Sequence, residues 1–271
     1  MQETNYCAHA IDGLKQLINV LPEGLAREAS LSAIGSIKKS IKFRIPDFGK
    51  IFHIREGDTL GNIINKYIPS FRLPYPVIAL EFANPSKITD AEVCIIQEQI
   101  FEEELWIVLK TISRVNIDGK KLWVPRSFGA AICCESLNHV TFKQMEPEFC
   151  TEWAGNGEYA IESDLTILVQ FLAALSCSNS ATADAPDPNP SLNAKRKSSG
   201  KTPFFSYKTL TISASESHAK GSGNGGAHSS PRVHLRRGHI RRLTDRTVWV
   251  NSCVVGDKSK GMVVKDYQVT A

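Results

Sequence analysis

Leu105-Trp106-Ile107-Val108-Leu109-Lys110-Thr111-Ile112, followed by the turn Asn116-Ile117-Asp118-Gly119 and then Lys121-Leu122-Trp123-Val124-Pro125, decides the fold class. The two apolar, β-branched and aromatic runs have strand composition, and Asp-Gly between them supplies the positive backbone angles that a tight hairpin turn needs. Working outward, Ala91 to Ile100 reads as a third strand, and Val77-Ile78-Ala79-Leu80-Glu81-Phe82 and Ile51-Phe52-His53-Ile54 read as two more. Between those last two, Thr59 caps a helix carrying Leu60, Ile63, Ile64 and Tyr67, which stops before Pro69.

The flanks are helical. Ile11, Leu14, Leu17, Ile18 and Leu21 recur at helical spacing, Pro22-Glu23-Gly24 interrupts them, and Leu25, Ala29, Ala33 and Ile37 resume. A helical hairpin is the expected start of the chain. At the far end, Ser163 with Asp164 in the first turn predicts a buried helix over Leu165 to Ala174. The apolar run from Leu165 to Cys177 is too short to cross a bilayer, which needs about 20 residues. The expected class is therefore α+β: an N-terminal helical hairpin plus an antiparallel sheet with helices on one face, over residues 1–177.

Residues 178–230 change character, becoming rich in Ser, Asn, Ala, Asp, Pro and Gly, and are expected to form a flexible linker because little apolar area offsets their chain entropy. One island within it, residues 203–212 (Pro203-Phe204-Phe205-Ser206-Tyr207-Lys208-Thr209-Leu210-Thr211-Ile212), can add a strand to the main sheet or enter a partner's groove. Residues 231–271 regain strand composition at Thr247-Val248-Trp249-Val250 and from Met262 to Val269, as a small basic β-module.

Charge separates the two parts. Residues 1–192 hold 17 Lys and Arg against 24 Asp and Glu, whereas residues 193–271 hold 15 against 4, so a net charge of +4 divides into −7 and +11. Such asymmetry points to a polyanionic partner or to docking of the basic part on the acidic one. The polar start, Met1 to Tyr6, lacks a secretory pattern, and seven scattered cysteines without a Cys-x-x-Cys pair fit reduced thiols in a cytoplasm. Cys133-Cys134 with His139 is the nearest approach to metal-ligand spacing and falls short of it, so no metal, no cofactor and no membrane partner are expected.

The basic module is centred on His234-Leu235-Arg236-Arg237-Gly238-His239-Ile240-Arg241-Arg242. Between Arg232 and Arg246 stand six arginines, two histidines and one acid, Asp245. Arginine's planar fork makes bidentate contacts with phosphate that lysine cannot, so Arg232, Arg236, Arg237, Arg241, Arg242 and Arg246, with His234 and His239, are the candidate nucleic-acid-binding residues. An alternative makes His234 and His239 the base and acid of a metal-independent ribonuclease. They lie an odd number of residues apart, so only a bulge at Gly238 would return both to one face of a continuous strand. A plain nucleic-acid-binding regulator and a solvated charged face are the remaining readings.

The stretch from Ser230-Pro231 through Val255, with His-x-Arg-Arg-Gly-His followed by Val248-Trp249-Val250-Asn251, resembles the C-terminal signature of the second-described type V-A anti-CRISPR family. Ile45-Pro46-Asp47-Phe48, Asn116 to Phe128 and Leu165 to Cys177 resemble further segments of that family in order. The resemblance implies a protein of a phage or other mobile element. It would lower production of a CRISPR effector nuclease by reducing target mRNA during translation, through the nascent polypeptide and the mRNA or ribosome, with RNA loss intrinsic or caused by a recruited host nuclease. Gly238 and Trp249 join the candidate RNA-facing residues on this ground. The family signature continues Gly-His-Trp-His, where this sequence has Gly238-His239-Ile240-Arg241, which removes an aromatic and a third histidine. A candidate peptide site is Leu73-Pro74-Tyr75-Pro76, where Pro74, Tyr75 and Pro76 hold an extended approach, together with Glu81. As a carboxylate amid apolar neighbours, Glu81 needs a partner, expected to be an arginine of the C-terminal module.

Overall fold

A computed structural model describes residues 5–54, 57, 59–68, 71–86, 89–101, 104–136, 139–144, 157–212, 232–236, 239–250, 253–255 and 257–262. The class is α+β. Helices α1 (Tyr6–Val20), α2 (Leu25–Lys39), α3 (Leu60–Tyr67), α4 (Gly157–Leu175) and α5 (Pro190–Ser198) accompany strands β1 (Ile41–Arg44), β2 (Val77–Ala83), β3 (Thr89–Phe101), β4 (Glu104–Ile117), β5 (Lys120–Ser136), β6 (His139–Gln144), β7 (Ser180–Asp184) and β8 (Lys208–Ile212). These eight strands form one sheet in the order β6-β5-β4-β3-β2-β1-β8-β7. The β4–β5 turn forms as expected, with Asp118 at φ 49° and Gly119 at φ 79°.

Two expectations about the sheet are corrected. It is mixed rather than antiparallel, because β1 lies parallel to both β2 and β8. Helices cover both faces rather than one. The reason lies in β2, whose Ile78, Ala79, Leu80, Glu81 and Phe82 are all buried: a continuous apolar run marks a strand covered on both sides. One face carries α3 and α4, packing Ile63, Ile64, Leu168 and Phe171 against Phe43, Leu80, Phe82 and Ile96. The other carries α1 and α2, packing Ile11, Leu14 and Ile37 against Ala79, Val93, Ile95 and Trp123. Gly13 lets α1 approach that closely, since a Cβ there would stand 2.6 Å from the Trp123 ring.

The first strand lies at Ile41–Arg44, not at Ile51–Ile54. Residues 51 and 52 instead form a loop stitched to α4, with both amides donating to Gln170 Oε1 at 3.0 Å. Helix α4 starts at Gly157, upstream of the expected Ser163.

The expected flexible linker is ordered structure over 178–212. β7 and β8 extend the sheet, and α5, capped by Asn189 with Pro190 opening it, is tied to α1 where Arg196 Nη2 meets Asp12 Oδ2 at 2.8 Å. Side-chain and main-chain polar bonds fix this segment where apolar area is scarce: Asn193 exchanges bonds with Phe204, and Asn5 Nδ2 donates to the Phe205 carbonyl. Within the aromatic island, Lys208–Ile212 form β8. The rest of the expected linker, 213–230, lies outside the described residues.

In the C-terminal part, β9 (Arg232–Arg236), β12 (Cys253–Val255) and β13 (Asp257–Met262) form a three-stranded sheet in the order β12-β9-β13, while β10 (His239–Arg242) and β11 (Thr247–Val250) form a two-stranded one. The expected strand beyond Met262 lies outside the described residues. Cys7, Cys94 and Cys177 are buried free thiols, and burial pushes Cys177 up to about 11. Among the described residues, no helix is long and apolar enough to cross a membrane.

Candidate nucleic-acid interface

The β10–β11 hairpin alternates. Ile240 and Trp249 are register partners, both buried, and both join the core on the α3–α4 face. Trp249 meets Phe52 edge to face at 5.9 Å. Its backbone N–H donates to Asn179 Oδ1 at 2.7 Å, and its carbonyl accepts from Asn179 Nδ2 at 2.8 Å. Ser178 adds a main-chain bond to Thr247 at 2.8 Å. Apolar burial and backbone pairing therefore hold this hairpin on the acidic domain, with no arginine–carboxylate pair to that domain among the described residues.

Arg241, Arg242 and Arg246 are exposed. Among the described residues, no carboxylate of the main domain pairs with any of them; Arg246 meets only its neighbour Asp245, at 3.2 Å. Arg242 Nη1 donates to the Lys66 carbonyl at 3.2 Å, placing a cation at the negative end of α3. Beside it lies a cavity of about 520 Å³, whose wall includes Lys66, Arg242, Ser178, Thr244 and the Arg246–Asp245 pair. Cations interleaved with hydroxyl donors are what phosphate oxygens require.

Of the other predicted residues, Arg232, His234 and Arg236 are placed on β9, with His234 opposite Val255 and Arg236 opposite Cys253. Arg237 and Gly238 lie outside the described residues. His239 is half-buried on the β10 face that carries Arg241, opposite Ile240. β9 and β10 belong to different sheets, and Gly238, where a bulge was expected to return both histidines to one face, lies outside the described residues. Trp249 is corrected from an RNA-facing residue to an anchor, because its register with Ile240 turns it into the core at 8% exposure.

The predicted peptide-binding residues are not brought together. Pro74 and Pro76 are exposed, and Tyr75 packs toward Phe43, 6.2 Å between rings, on the α3–α4 face. Glu81 points to the opposite face, under α1. Its partner is not a C-terminal arginine. The Cys7 amide at the start of α1 donates to Oε2 at 3.0 Å, and Arg44, its neighbour across the β1–β2 ladder, stands 3.6 Å from Oε1. That second distance is an ion pair too long for a hydrogen bond. Burial pushes the Glu81 carboxyl above the ordinary glutamate range, against the lowering effect of the Cys7 amide and Arg44.

A carboxylate raised in this way holds its proton more tightly in the folded chain. Its contribution to stability is complete below the unfolded value of about 4.3 and is lost as pH rises through the raised folded value. Glu81→Gln, which keeps an acceptor for Cys7, removes that loss. Urea unfolding from acidic to neutral pH is expected to show the variant gaining on wild type as pH rises, and parallel curves would refute the assignment.

A buried charge cluster escaped the sequence reading. Arg126 Nη1 meets Glu92 Oε1 at 3.0 Å and Nη2 meets Asp164 Oδ1 at 2.9 Å, while Thr111 and Ser113 donate to the two carboxylates at 2.6 and 3.2 Å. Burial raises the Glu92 carboxyl against the pull of Arg126. The available signal was an acid within the apolar β3 run, Glu92, and another at the head of the apolar run of α4, Asp164.

No family model and no curated protein matches the chain. Among solved structures, the crystal structure of AcrVA2 is similar over 92% of this chain and 86% of that one, with 11% identity and a TM-score of 0.33. That likeness is too distant to carry a residue correspondence or a shared activity.

Proposed function

We propose that this chain is an RNA-facing regulatory protein of the anti-CRISPR kind, which lowers production of its target during translation by engaging the mRNA or ribosome together with the nascent polypeptide. The resemblance of the His-x-Arg-Arg-Gly-His stretch supplies the kind. The observation that carries the RNA half is the way the β10–β11 hairpin sits: Trp249 and Ile240 face inward, Arg241, Arg242 and Arg246 are exposed, and Arg242 and Arg246 line a cavity with Lys66. A charge run docked on the acidic domain would have turned its guanidinium groups to carboxylates; among the described residues, the arginines of this hairpin pair with none of that domain's acids, and Arg242 meets it through the Lys66 carbonyl.

Affinity purification of the tagged chain from cells, followed by sequencing of bound RNA, tests the reading. Wild type is expected to enrich ribosomal RNA or a specific mRNA, and Arg241→Ala with Arg242→Ala to lose that enrichment by tenfold or more while folding normally. Equal recovery by both proteins, or none by either, refutes it.

A further inference from the structure

A second groove lies on the α1–α2 face, away from the arginine hairpin, with a volume of about 550 Å³. Its floor is aliphatic: Leu17 and Val20 come from the last turns of α1, and Leu122 from the start of β5. Val20 is 78% exposed and Leu122 is 43% exposed, an apolar pair left open to water at the end of a helix and a hairpin. Its rim is cationic. Arg114 and Lys121 share Asp90, with Lys121 Nζ at 2.6 Å; Arg196 holds Asp12 at 2.8 Å; and Lys201 is exposed. Four cations against two carboxylates leave two positive charges in excess around the apolar floor.

Two features decide between the anionic macromolecules that could meet such a rim. The rings lining this groove offer a nucleic-acid base no open face, since Trp123 is 6% exposed, closed in by Gly13, Tyr6 and Arg114, and the half-buried His9 imidazole meets Phe204 edge to face. An open aliphatic floor, by contrast, takes an aliphatic side chain, and a rim of mixed Lys and Arg takes carboxylates beside it. We infer that the groove between the C-terminal half of α1 and the β4–β5 hairpin binds an acidic peptide segment of another protein. An aliphatic side chain of that segment seats between Val20 and Leu122, and its flanking carboxylates meet Lys121 and Lys201. The inference rests on the reading above for its role, as a place for the peptide that the RNA-facing half accompanies, but its chemistry is that of the groove alone.

The test uses the full chain and a fluorescein-labelled twelve-residue probe of repeating Glu-Glu-Leu, read by fluorescence anisotropy. Saturable binding is expected, with probes of repeating Lys-Lys-Leu and Glu-Glu-Ser bound at least tenfold more weakly. Lys201→Glu and Leu122→Ser, both at exposed positions, are expected to weaken the Glu-Glu-Leu probe at least tenfold with unchanged thermal melts, and Arg241→Ala with Arg242→Ala to leave it unchanged. Loss of peptide binding with RNA enrichment intact is thus distinguishable from the reverse. Equal binding of all three probes, insensitivity to both groove variants, or displacement of the probe by polyuridylate at equal charge would overturn the inference. So would self-association of the probe-free protein that Lys201→Glu abolishes, since the occupant would then be a second copy.

Discussion

Replacing Arg126 with alanine is expected to destabilise the folded chain by about 3–5 kcal/mol, the ordinary cost of stranding buried charges by removing one partner. The guanidinium is the cation that bridges Glu92 and Asp164, whose side chains are only 2% and 1% exposed. Thr111 and Ser113 donate a bond each but cannot offset two negative charges in that environment. The network also joins four elements, since Glu92 lies on β3, Thr111 and Ser113 on β4, Arg126 on β5 and Asp164 on α4. Urea unfolding at neutral pH measures the effect. Arg126→Met combined with Glu92→Gln and Asp164→Asn is expected to recover most of the loss, because no charge is then left buried. If the single variant loses less than about 1 kcal/mol, the value typical of a surface pair, the cluster is not the buried brace described here.

Trp249→Ala is the second large effect, expected at about 3–5 kcal/mol for a buried tryptophan truncated to alanine. Its ring fills the space beside Phe52, and its register partner Ile240 is buried with it. The consequence reaches function because this contact holds the arginines in place. With the ring gone, Asn179 and Ser178 still pair with the β11 backbone, but the apolar side of the hairpin is left without its main anchor. Trypsin is expected to cut after Arg241 or Arg242 much faster than in wild type. RNA retention should fall even though every arginine is still present. Unchanged protease resistance would mean that the hairpin is held by something other than this side chain.

How far the sequence was legible follows from what each signal depends on. The β4–β5 hairpin was readable because Asp118-Gly119 is a local turn signal, and α1, α2 and α3 were readable because helical spacing and the Thr59 cap are local too. β1 was not: Ile41-Lys42-Phe43-Arg44 alternates over only four residues, and its place between β2 and β8 depends on pairings distant in sequence. The 178–212 segment misled because its order comes from caps and polar bonds such as Arg196 to Asp12, whereas composition reports apolar area. At the candidate site, the arginines were visible as a charge run, but which of them face solvent depends on the inward turn of Ile240 and Trp249. Glu81 was correctly read as needing a partner. Its partners, Arg44 and the first turn of α1, are set by the parallel β1–β2 ladder, which strand composition does not reveal.

The central claim is that the exposed arginines of the hairpin docked through Trp249 meet RNA phosphates. The most direct measurement is the salt dependence of binding to a single-stranded RNA. Each phosphate contact on a single strand contributes a slope of roughly −0.7 to log affinity against log salt concentration. Removing Arg241 and Arg242 together is predicted to make the slope shallower by about 1.4 and to weaken binding at low salt. An identical slope in wild type and double variant would contradict the account.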